Sequence, residues 1–177
     1  MLLAATVPSF SADGKPPPTE QVQHGLDLFV KSPKGNACAT CHEMAGYGTA
    51  VGPRLDDDGI DGNTARHRVN HTNDHDERMT MTTYVQSVKA GDRKFPAMVR
   101  EQGKYATAVW DLSQMPPVLR KFPNTEIKAV ERDQTRKHPP ASVDYTPQEF
   151  ADLIGFLRWA ANGAAKEVKA SEVADLQ

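Results

Sequence analysis

Thr146-Pro147-Gln148-Glu149-Phe150-Ala151-Asp152-Leu153-Ile154-Gly155-Phe156-Leu157-Arg158-Trp159-Ala160-Ala161-Asn162-Gly163 is the stretch that decides the fold expected of this chain. A threonine able to cap, a proline at the first helical position and a glutamate three residues after the cap make a strong helix start. Phe150, Leu153, Ile154, Leu157 and Ala161 then share one stripe, Phe156 and Trp159 widen it, and Asn162-Gly163 supplies a stop. Such a helix is expected to dock in a core.

Near the other end, Val22, Leu26, Phe29 and Val30 recur at i, i+4, i+7 and i+8, so a second helix is predicted from Thr19, ended by Ser32-Pro33. Gly25 falls on its apolar face. A glycine there costs about 1 kcal/mol relative to alanine, which close approach by another helix would offset. Between the two helices, Tyr84, Val85 and Val88 suggest a short helix over 82–90. Prolines and charges make 118–145 read as a loop-rich insertion, with a polar surface helix over 126–137. With no sustained apolar alternation and no internal repeat, the expected fold is all-α. The expected layout is a domain over 19–163, an N-terminal tail 1–18 ending in Lys15-Pro16-Pro17-Pro18, and a C-terminal tail 164–177.

The chemistry centres on Cys38-Ala39-Thr40-Cys41-His42, a C-x-x-C-H run. Two thiols three positions apart can reach the two vinyl groups on one porphyrin edge while the adjoining imidazole turns to the iron, so the run signals covalent haem attachment. Three other readings compete: a thioredoxin-like redox pair, half of a zinc site, and a chance occurrence. A thioredoxin-like redox pair would follow a strand, and no strand pattern precedes Cys38; a structural zinc site would need further ligands, and the chain has no other cysteine.

On these residues the chain resembles the class I cytochrome c family. The likeness runs over about 19–163, through Gly25 and Phe29, the attachment run, Val51-Gly52-Pro53-Arg54-Leu55 and the helix Phe150 to Ala161. The resemblance implies a small helical domain around one haem c. Cys38 and Cys41 would form the thioethers, His42 would be the proximal iron ligand, and the Pro53 carbonyl would accept a hydrogen bond from its ring. It further implies that Gly25 lets the first helix cross the last near Phe156 or Trp159. A sixth ligand is expected from Met115, in Met115-Pro116-Pro117, with Met98 as the alternative. The long segment between Met115 and the last helix departs from the compact family pattern.

The function so implied is one-electron transfer between a redox protein donor and acceptor, without enzymatic turnover, by a free carrier or by a subunit of a larger respiratory or photosynthetic complex at a membrane. The alternative is a haem enzyme or gas sensor with an open sixth position. With 21 basic and 23 acidic residues, nothing in the global charge favours nucleic acid. Basic residues from Lys89 to Lys121 suggest a patch for an acidic partner. Met1 to Val7 and the small residues to Ala12 resemble the end of a secretory signal, predicting a periplasmic or otherwise exported protein, and they are too short to form a transmembrane segment. His67, His71 and His75, and the acidic run Asp56 to Asn63, are read as solvated polar stretches ahead of metal sites.

Overall fold

The structure is a computed structural model that describes residues 15–32, 36–52, 55, 85–133, 145–164 and 166–173. In chain order these residues form helix α1 (Glu20–Val30), a one-turn 3-10 helix (Cys38–Thr40), strands β1 (Glu43–Met44) and β2 (Tyr47–Gly48), then β3 (Gln86–Ala90), β4 (Arg93–Gln102), β5 (Ala106–Asp111), β6 (Val118–Pro123) and β7 (Ile127–Arg132), and finally helix α2 (Pro147–Asn162) with a short 3-10 turn (Ala170–Glu172) after it.

Both end helices form where the sequence places them, for the reasons it gives. The Thr19 hydroxyl accepts from the Val22 amide to open α1. At the start of α2 the Thr146 hydroxyl accepts from the Glu149 amide at 3.2 Å, and the Glu149 carboxylate accepts from the Thr146 amide at 2.7 Å, a closed capping box worth about 1 kcal/mol. The helices cross at Gly25. A β-carbon there would fall on the Asp152 carbonyl and lie 2.8 Å from the Phe156 β-carbon, so only glycine permits this approach. Around the crossing Phe29 packs against Phe156 in a tilted arrangement with centroids 5.2 Å apart, and Val22, Phe150, Ile154 and Leu157 complete a core that Met44 enters from β1.

Asp152 ties this crossing together. It is buried, and it accepts from Gln21 at 3.0 Å and Gln148 at 2.7 Å, with the His24 ring nitrogen 2.6 Å away. Gln21 also bonds both the amide and the carbonyl of Val168. Residues 166–173 therefore lie on the helix pair, with Val168 and Val173 buried in its core. Residues just ahead of α1 dock similarly, for Trp159 donates to the Pro16 carbonyl at 2.9 Å and Lys15 lies over the indole.

The expectation of an all-α fold is wrong. A five-stranded antiparallel sheet, in the order β6-β5-β4-β3-β7, stands between the two helices in sequence, and β1 and β2 form a second small sheet. Positions 86–90 of the helix expected over 82–90 are strand β3, while 82–84 lie outside the described residues. The loop-rich insertion expected over 118–145 carries β6 and β7, so 126–132 of the expected polar helix is mostly extended strand; 134–144 lie outside the described residues.

This sheet curls on itself. Its outermost strands, β6 and β7, are joined by only Asn124 to Glu126. Asn124 is held at the β4–β5 turn, donating to the Gly103 and Lys104 carbonyls and accepting from Thr107, while the Gly91 amide donates to the Glu126 carbonyl. In a flat sheet the β6 and β7 edges would stand about 19 Å apart, four spacings of about 4.8 Å, which is more than the four links from Pro123 to Ile127 can span at about 3.8 Å each; Phe95 and Phe122 meet inside the curl with centroids 6.0 Å apart. The inner face closes over Val88, Phe95, Ala97, Val99 and Val109, leaving a cavity of about 200 Å³ near Thr107 and Val130. At the other end of β5 the fully buried Asp111 carboxylate accepts from Arg120 at 2.7 Å and from the Ser113 amide at 3.0 Å.

Candidate functional site

The attachment run is a tight turn. The Cys41 and His42 amides both donate to the Cys38 carbonyl, at 3.1 and 2.8 Å, which puts Cys38 at the start of the 3-10 turn, Cys41 at its C-cap and His42 directly after it. The chain then doubles back through β1 and β2, and Thr49 donates to the Ala39 carbonyl. Val51 and Gly52 both donate to the Cys41 carbonyl, at 3.0 and 2.6 Å. These bonds lay residues 49–52 against the turn and seat Gly52 beneath the His42 ring.

His42 is buried at 8 % exposure, and its ring is so close to Gly52 that a β-carbon there would lie 2.8 Å from Cε1 and 3.3 Å from Nε2. The backbone thereby bounds one side of the imidazole, and orientation of the ring is what a metal-ligating histidine requires. Pro53, expected to hold the ring through its carbonyl, lies outside the described residues. Leu55 packs on the helical core.

Both cysteines are free thiols. Burial pushes the Cys38 thiol up to about 11, against a small lowering by a backbone hydrogen bond, with Cys41 adding to the rise; burial also pushes Cys41 up. Neither is a thiolate near neutral pH, whereas a disulfide-exchange dithiol relies on a depressed thiol pKa. Tyr145 lies near Cys38, buried just before α2, and donates to the Ser32 hydroxyl at 2.8 Å.

The five-stranded sheet reaches this site. Val51, next to Gly52, forms one buried cluster with Met98 of β4 and Leu112 at the end of β5; Cys41, Val85 and Trp110 pack around it. Met98 is 6 % exposed, whereas Met115, on the turn between β5 and β6, is 41 % exposed. Met44 is wholly buried in the helical core, and Met79 and Met81 lie outside the described residues, as do His67, His71, His75 and the acidic run 56–63. The sequence reading missed Trp110 and Leu112 as neighbours of the attachment turn. Their signal was weak, since the residues alternating with Trp110 on β5 include polar Thr107 and Asp111.

Two sulfurs and a buried imidazole on one turn, with the ring seated on a bare glycine, fit the donor set of a covalently attached haem. Among the described residues no three His, Cys, Asp or Glu side chains gather as a further metal site, and no helix is long and apolar enough to cross a membrane. No protein-family model matches the chain, and no curated protein matches its sequence.

Proposed function

We propose that the chain is a single-haem c-type cytochrome, akin to class I in its crossed helices and attachment turn, with a curled sheet inserted between them. Its role is to pass one electron between redox protein partners in the periplasm or another exported compartment, alone or as a subunit of a larger complex. The observation that carries the reading is the packing of the His42 ring on Gly52, one residue beyond the Cys38–Cys41 pair.

A bound haem supplies the one-electron couple between ferrous and ferric iron. In this reading Cys38 and Cys41 would hold it through their sulfurs and His42 would ligate the iron, its ring seated against Gly52. Val51, Met98 and Leu112 exclude water from the Cys41 side. A second iron ligand from this chain would be a thioether. Burial in the cluster that includes Cys41 favours Met98, while Met115 would have to leave an exposed turn.

That exposure of Met115 is also what favours a second reading, a haem enzyme or gas sensor with an open sixth position. Spectra of the oxidised and reduced protein with a carbon monoxide titration separate the two. A methionine-to-iron charge-transfer band without carbon monoxide binding is the carrier's result, and a high-spin, gas-binding haem at neutral pH is the enzyme's or sensor's. Met98→Leu abolishes the band if Met98 ligates. Its loss only in Met115→Leu returns the role to Met115, and retention in both leaves Met44 or a methionine outside the described residues.

A further inference from the structure

The outer face of the sheet carries charge that its own fold does not use. Lys89 of β3 and Lys94 of β4 are direct cross-strand partners, both exposed, and Lys128 of β7 stands beside them at the irregularity where the β3–β7 register shifts. Like charges directly opposite each other destabilise a sheet. Among the described residues no acidic side chain pairs with Lys89 or Lys94, and Lys128 has only the exposed Asp92 at 3.6 Å. The three lysines, with Ser87 and Glu131, edge a shallow concavity of about 340 Å³.

The imbalance extends along the segment. Residues 85–133 hold nine basic and six acidic side chains, and the remaining 128 residues hold twelve and seventeen. A chain of net charge -2 therefore concentrates its positive charge on the sheet. Segregation of this kind steers association with a surface of opposite sign and contributes to partner choice.

We propose that the Lys89–Lys94–Lys128 face is the docking surface for an acidic protein. That the protein is a redox donor or acceptor rests on the electron-transfer reading; the charge argument does not. The sheet then brings the partner to the same structural unit that packs, through Met98 and Leu112, beside the attachment turn.

Immobilised poly-L-glutamate is the probe, with binding of the full chain read as mass by surface plasmon resonance and haem content measured on the same samples. The wild type binds at low ionic strength, and binding fades as salt approaches about 0.15 M, where the screening length is about 8 Å. Lys89→Glu, Lys94→Glu and Lys128→Glu together weaken binding by about tenfold or more, whereas reversal of Lys31, Lys166 and Lys169 changes it by less than about twofold. Wild-type binding by the sheet variant, or equal loss in the control, overturns the proposal. So does tighter binding to phosphatidylserine vesicles through the same three lysines, which would make the partner a lipid surface. Mass signals need no haem. Patch-specific binding by a chain that carries no haem therefore sinks the cytochrome and keeps the surface, and the reverse result sinks the surface alone.

Discussion

The imidazole of His42 rests on the bare α-carbon of Gly52, and the Cys41 carbonyl, one residue before that imidazole, accepts the Gly52 amide at 2.6 Å. One backbone contact thus sets both the position of the ring and the return of the chain beneath it. Gly52→Ala places a methyl group 2.8 Å from Cε1 and must tilt the ring. The yield of covalently loaded protein should fall by about tenfold, as for losses of other groups that orient a metal ligand, while far-ultraviolet circular dichroism stays as in the wild type.

Cys38 should be a poor nucleophile in the haem-free chain. With its thiol raised to about 11 by burial, alkylation by iodoacetamide at pH 8 should be well below that of an unfolded control and climb toward pH 11. Stability follows the same sign. The folded value lies above the ordinary 9.0, so this contribution is intact below pH 9 and is lost as pH rises through about 11. Fast alkylation at pH 8 would show the thiol to be exposed or ionised.

Gly25→Ala tests the helix crossing. The added methyl meets the backbone of Asp152 and the Phe156 side chain, neither of which can swing aside as a flexible tip would. A loss of about 3 kcal/mol in chemical denaturation is expected. A neutral variant would mean the helices do not cross there.

How far the sequence alone could be read follows the physics of each element. Both helices were legible because each carries a cap and an apolar stripe of helical period. The sheet was not, because its inner face uses Gln86, Thr107 and Asp111 at buried positions, which breaks the apolar alternation, and its outer face buries Met98. Pro96 is also a residue that central strands rarely hold. Its carbonyl accepts from Leu112, where β5 has just ended, so the donor that proline lacks costs no regular ladder bond. Val85 and Val88, three apart, imitated a helix face, although β3 buries Gln86, Val88 and Ala90. The attachment turn was legible residue by residue, but the wall of Met98, Trp110 and Leu112 beside it depends on long-range pairing that no local pattern encodes.

Asp111 gives the sheet a defined acid limit. Burial pushes its carboxyl up, but hydrogen bonds from Ser113 and the Arg120 guanidinium together outweigh it and hold it below the usual carboxylate range. A depressed value stabilises the fold above the ordinary pKa of about 3.8, and that contribution is lost as pH falls through the lower folded value. Asp111→Ala, which leaves Arg120 without its buried partner, should cost about 3 kcal/mol at pH 7 and much less in acid. A cost that does not change with pH would contradict the charged pairing.

Covalent haem attachment at Cys38 and Cys41 is the claim on which the function rests, and acid–acetone extraction followed by a pyridine haemochrome spectrum tests it most directly. The full chain is produced in cells with c-type maturation machinery, beside Cys38→Ser, Cys41→Ser and the double variant. The account predicts one haem per wild-type chain that stays with the protein through extraction, with a spectrum of two saturated vinyl groups, one in each single variant and no retained haem in the double. A wild-type chain that carries no haem, or releases all of it to the solvent, contradicts the account.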